Sequence, residues 1–221
     1  MTENTEQTTI KPNNDKKTER LIFQSISNCL HPMAMLTYAT IFLCFLTPLF
    51  ILPIGIRMFI VLEVFFYTFV IPLLTIWLLY KLKLVKHWAL RDRHDRNVPL
   101  LANLIAYCVC TFSVSRHGFI PSWGLCVFYG SIMVAFVSWV VSFWWKISGH
   151  ALALSGLVTI SWIYLFMFPG FVPLFLPFLF IILLGLLCSI RVYLGRHTLA
   201  QVYTGSVVGV ILMWSAFAVM L

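Results

Sequence analysis

FVPLFLPFLFIILLGLL at residues 171–187, CSIRVYLGRHTLAQ at 188–201 and VYTGSVVGVILMWSAFAVML at 202–221 follow one another at the end of the chain. The first and third stretches are predominantly apolar and long enough for a helix to cross a bilayer. The middle stretch holds Arg191, Arg196 and His197. Two arginines and a histidine therefore stand where the chain leaves the membrane and enters it again.

Working outward, the same alternation recurs along the chain. Of 221 residues 61% are hydrophobic and only 10% are charged, which excludes an ordinary soluble domain. Apolar runs at 33–52, 58–80, 99–114, 122–144, 151–168 and 171–187, and from 199 onward, predict an all-α polytopic membrane helix bundle of about six to seven spanning helices. Residues 1–20 are polar and mixed in charge, which predicts a disordered tail. Residues 21–32 are short and amphipathic and predict an interfacial segment closed by His31-Pro32. Residues 33–221 form one membrane domain. The net charge of +8 is spread over loops and tail. Anionic headgroups or phosphate are thus the expected partners, not nucleic acid. The cysteines at 29, 44, 108, 110, 126 and 188 lie mostly inside apolar runs. No disulfide framework, metal or cofactor is expected from them.

Two further clusters resemble the first in placement. Lys146-Ile-Ser-Gly-His150 precedes one apolar run, and Arg91-Asp-Arg-His-Asp-Arg96 lies in a loop that also carries Lys81, Lys83 and Lys86. A positive-inside loop would contain such bases for orientation alone. The interleaved acids, however, suit guanidinium groups held in place by carboxylate partners. The clusters follow the second, fourth and sixth runs, so all three reach the same face of the membrane. Ser148 and Gly149 just before a helix suit a cap and an anion-binding N-terminus. After Asp95 the chain has no aspartate or glutamate. Carboxylate pairs, carboxylate-bound metals and an acid-supported serine triad are therefore excluded from this part of the chain. Histidine, arginine, lysine, serine and backbone amides remain, a set suited to phosphoryl transfer through a histidine. Glu63, near one end of its run, is expected at the interface, as are His31, His87 and His117. Gly205-Ser-Val-Val-Gly209 is a small-residue face for helix packing.

These segments resemble the three signature motifs of the type 2 phosphatidic acid phosphatase superfamily over roughly residues 80–210. Ser148-Gly149-His150 matches the second motif, with Ile147 where proline is usual. Arg191 and His197 keep the spacing of the third, with Ile190 for its serine and Gln201 for its aspartate. Lys86 and Arg93 match the spacing of the first, with His94 for proline, and Arg96 with Pro99 offers a rival alignment. The sequence is similar to a bacterial branch that has this glutamine, a feature dolichyl-diphosphate phosphatases share.

The resemblance implies an enzyme of a bacterial inner membrane. It implies His197 as nucleophile, forming a phosphohistidine, and His150 as general acid. Phosphate would be held by Arg191, Ser148, the Gly149 amide and Lys146, with Arg93 or Arg96 and Lys86 of the first motif. Gln201, one turn beyond His197, would orient its ring without supplying charge. The expected activity is metal-independent hydrolysis of a membrane lipid phosphate or diphosphate, with undecaprenyl diphosphate as leading substrate. A non-catalytic lipid-headgroup carrier on the same scaffold is the rival.

Overall fold

The computed structural model describes residues 14–82 and 94–220, with side chains over 17–82 and 97–220. All secondary structure among them is helical. The first helix, α1, covers Asn14–Cys29. His31 and Pro32 break the chain, and a 3-10 turn, Pro32–Ala34, leads into α2, Met35–Leu46. Helix α1 begins inside the stretch expected as disordered tail and runs through most of the expected interfacial segment. Composition misses it because its contacts are tertiary. Phe23 packs edge-on against Tyr193, with ring centroids 5.2 Å apart, and a marginal helix gains most of its stability from such docking.

Thr47 and Pro48 end the first crossing. Helix α3 (Ile54–Phe65), a π-helical turn (Phe66–Val70) and α4 (Ile71–Lys81) then form one continuous crossing. The π turn precedes Pro72, which has no N–H to continue the regular ladder. Thr68 in this turn meets Thr37 of α2 at 3.2 Å. Helices α5 (His94–His117), α6 (Ser122–Val141), α7 (Gly149–Met167), α8 (Phe175–Tyr193) and α9 (Leu199–Met220) complete the bundle. Gly118 (φ 68°), Gly170 (φ 91°) and Gly195 (φ 65°) make the turns that follow α5, α7 and α8, each in the left-handed region that favours glycine. Among the described residues, seven segments are long and apolar enough to cross a membrane: Lys17–Leu46, Ile54–Lys81, Asn97–His117 and α6 to α9. The chain is an integral membrane protein.

Helix α7 is the centre. Of its most apolar window 67% is buried, against 17% for α8, which lies at the periphery. Tyr164 of α7 is fully buried and donates to the Trp123 carbonyl at 2.8 Å. Helix α9 lies against α7 through Gly205 and Gly209, as their spacing suggests. A Cβ on Gly205 would stand 2.9 Å from the Ser148 carbonyl oxygen, and one on Gly209 would overlap the Leu152 carbonyl and the Ser155 hydroxyl. This approach sets the first turn of α9 beside the first turn of α7.

The end of the bundle away from Lys146–His150 and Arg191–His197 holds Glu63. It is not at a wetted interface as expected: its side chain is 10% exposed, accepts from Ser113 at 2.5 Å and meets His117 Nε2 at 3.3 Å. A carboxylate in an apolar span needs such partners. Arg57, also buried there, has its guanidinium between the Phe45 and Phe50 rings at 4.8 and 4.7 Å.

We predict that Gly209→Ala destabilises the protein by about 2 kcal/mol or more, because α7 backbone must shift. Gly185→Ala in α8, whose Cβ meets nothing within 4 Å, should be neutral or stabilising by up to about 1 kcal/mol. Thermal unfolding in detergent measures both.

Candidate functional site

The site is built where α7 and α9 begin and α8 ends. Ser148 is the N-cap of α7: its backbone is extended (φ −83°, ψ 101°) and its hydroxyl accepts from the Ala151 amide at 3.5 Å. It is fully buried. The Ser148 hydroxyl therefore serves the helix terminus, and the first amides of α7 are the groups oriented toward an anion. At Gly149 the space a Cβ would take is open, leaving room for close approach to that terminus. Lys146, half-buried, lies just ahead of the cap. The Ser148 amide donates to the Gln201 carbonyl at 3.3 Å, which ties the cap of α7 directly to α9.

The spacing from Arg191 to His197 has a physical cause. Helix α8 runs beyond residue 187, so Arg191 is on its last turn, where a cation is favoured by the helix dipole. Beyond it the Gly195 amide donates to the Val192 carbonyl at 2.9 Å and the Arg196 amide to the Arg191 carbonyl at 3.0 Å. With Gly195 left-handed, this is the Schellman closure of a helix. The His197 amide also reaches the Arg191 carbonyl, at 3.3 Å. The His197 backbone is thereby turned back to the Arg191 carbonyl.

The His197 ring is oriented by Gln201. Its Nδ1 lies 3.0 Å from Gln201 Oε1, and the same oxygen accepts from the Thr198 amide at 3.3 Å. An amide oxygen can only accept, so Nδ1 carries the proton and the ring's lone pair is on Nε2. The Gln201 backbone N–H in turn donates to the Thr198 hydroxyl at 3.4 Å, closing a small reciprocal turn at the start of α9.

His150, on the first turn of α7, is in the electrostatic field of Arg191, His31 and His197. The structure thus brings together Ser148, Gly149, His150, Arg191, His197 and Gln201. Lys86 and Arg93 lie outside the described residues. Arg96 is in the first turn of α5, with its side chain outside the described set. That turn is held at this end of the bundle because Ser142, in the loop leading to Lys146, donates to Asn97 at 2.8 Å.

Two residues of the site are not expected from the sequence. Ser27 of α1 is fully buried, and its hydroxyl accepts from Arg191 Nη1 at 3.1 Å. His31, expected as an interfacial histidine, has its ring edge-on to His150 with centroids 5.5 Å apart. Its Nδ1 also accepts from the Met33 amide at 3.4 Å, capping the 3-10 turn. Parity was the available signal for it: His31 stands just before the apolar run at 33–52, an even number of runs ahead of Lys146–His150 and so toward the same face. His117 pairs with Glu63 at the far end and His87 lies outside the described residues. No protein-family model matches the chain, and neither does a curated protein or a solved structure.

Replacing Gln201 tests the orientation. Gln201→Leu removes the acceptor at Nδ1, so any chemistry that depends on the ring should be lost while the fold persists. Gln201→Asp supplies negative charge that raises the basicity of His197. The ring then stays protonated to a higher pH, and the acidic limb of the pH–rate profile should move upward. A pH–rate series on both variants measures this.

Proposed function

We propose that the protein is a membrane phosphatase that hydrolyses a lipid phosphate or diphosphate through a phosphohistidine, without a metal, in a bacterial plasma membrane. The observation carrying this reading is the His197–Gln201 contact, which leaves the Nε2 lone pair for attack, beside a His150 that lies in the field of both Arg191 and His197.

In the first step Nε2 of His197 forms a bond to phosphorus and the bond from phosphorus to the leaving oxygen breaks. His150 transfers its proton to that oxygen, releasing lipid alcohol from a monoester or lipid monophosphate from a diphosphate. Arg191, Lys146 and the amides opening α7 hold the non-bridging oxygens, on which charge is spread in the transition state. In the second step His150 takes a proton from water, the water oxygen bonds to phosphorus and the N–P bond breaks. Inorganic phosphate leaves and both histidines return to their starting states. Gln201 keeps the Nδ1 proton throughout. As an amide it adds no charge to stabilise the phosphorylated ring, which favours turnover of the intermediate.

A membrane-embedded site suits an isoprenoid diphosphate such as undecaprenyl diphosphate, whose headgroup would be presented from the bilayer. Phosphate release by the purified chain in detergent tests the reading. Turnover should survive strong chelation, be inhibited by vanadate, and fall by about 1,000-fold or more in His197→Ala. An acid-labile phosphoryl group should be trapped on the wild type and absent from that variant. Headgroup binding without phosphate release would instead establish the carrier reading.

A further inference from the structure

Helices α8 and α9 do not close on each other along their length. Between them is a groove of about 620 Å³, walled by Ile181, Leu184, Gly185 and Cys188 of α8 and by Tyr203 and Ser206 of α9. Its polar atoms include Cys188 Sγ and Ser206 Oγ, which meet at 3.8 Å and satisfy one another. Tyr203 is 73% exposed at its rim, so the groove opens sideways, toward lipid in a membrane. Its volume falls within the range of small-molecule sites.

Helical geometry joins this groove to the candidate site. Ile181, Leu184 and Cys188 recur at the spacing of one helix face, and the next position on that face is Arg191. On the other wall, Leu199 and Ala200 open α9 two and three residues after His197 and line the same groove. From Ile181 to Cys188 the wall extends roughly 10 Å, about a third of the hydrocarbon thickness of a bilayer. The groove itself is thus apolar and open to the membrane, and Arg191 and His197 are the positions that follow just beyond its end. That polarity matches a phosphate followed by the first part of a hydrocarbon chain.

We propose that the α8–α9 groove seats the headgroup-proximal part of the substrate's hydrocarbon chain and so sets which lipid phosphates reach His197. The proposal rests on the phosphatase reading for its chemistry. Gly185 is the position that keeps the groove open: it has no side chain, and a Cβ there meets nothing within 4 Å. A bulky residue would therefore fill the groove without disturbing the core. With the chain displaced, the phosphate would be misplaced relative to Nε2, while a phosphate ester lacking a chain would not be affected.

The test uses the full purified chain in detergent, with a long-chain prenyl phosphate and water-soluble p-nitrophenyl phosphate as substrates. Gly185→Trp should lower kcat/KM for the prenyl phosphate by about tenfold to a hundredfold and leave p-nitrophenyl phosphate turnover unchanged. Val219→Trp, at an 85% exposed position near the far end of α9, should change neither. A prenyl phosphate with a diazirine close to the phosphate should label residues 181–188 and 199–206 of the wild type, and Gly185→Trp should suppress the label. The proposal is overturned if Gly185→Trp lowers both activities alike or neither. It is also overturned if a prenol lacking phosphate labels the groove equally, the mark of a bystander bilayer lipid. If the wild type hydrolyses neither substrate, the phosphatase reading fails, and phosphate-dependent labelling alone decides whether the groove is a chain site.

Discussion

The close approach of α9 to α7 is the contact on which the candidate site depends. Gly205 and Gly209 remove the side chains that would otherwise meet the α7 backbone, and the Ser148 amide then reaches the Gln201 carbonyl. In lipid the hydrophobic effect cannot drive two apolar helices together, so packing at small residues and interhelical hydrogen bonds must do so. Here both operate at the point where the two histidines of the proposed reaction emerge. A bulkier helix interface would hold the same residues at the same sequence spacing and leave His150 and His197 apart.

Charge is distributed between the two ends of the bundle according to what can neutralise it. The far end has its own carboxylate, and Glu63 is paired with Ser113 and His117. The other end has no aspartate or glutamate in its α7, α8 and α9 portions. Arginine and histidines gather there with a helix N-terminus, an arrangement that favours an anion. Gln201 belongs to the same pattern. A carboxylate at that position would cancel part of the positive field, whereas an amide orients His197 and leaves the field intact.

Helix α1 adds a second layer to this end. Ser27 accepts from Arg191, His31 borders His150, and Phe23 packs on Tyr193. The guanidinium proposed to bind phosphate is thus oriented by a neutral hydroxyl, which costs it no charge. A polar N-terminal segment becomes part of the site because it docks on α8, the helix least covered by the rest of the bundle.

The sequence by itself determined the class of fold, the order of crossings and the common face of the segments at Lys146–His150 and Arg191–His197. Apolar length and parity of crossing are properties of a linear chain in a bilayer and need no tertiary information. It also contained the Arg191–His197 spacing and the placement of Gln201, because a helix closure at Gly195 and the first turn of α9 are local structures. Only the tertiary structure decided that Ser27 and His31 join the site, since their partners Arg191 and His150 lie more than a hundred residues away. It likewise decided that Glu63 is paired and not solvated. Burial and pairing depend on which helices meet, and no local pattern in an almost uniformly apolar chain encodes that choice.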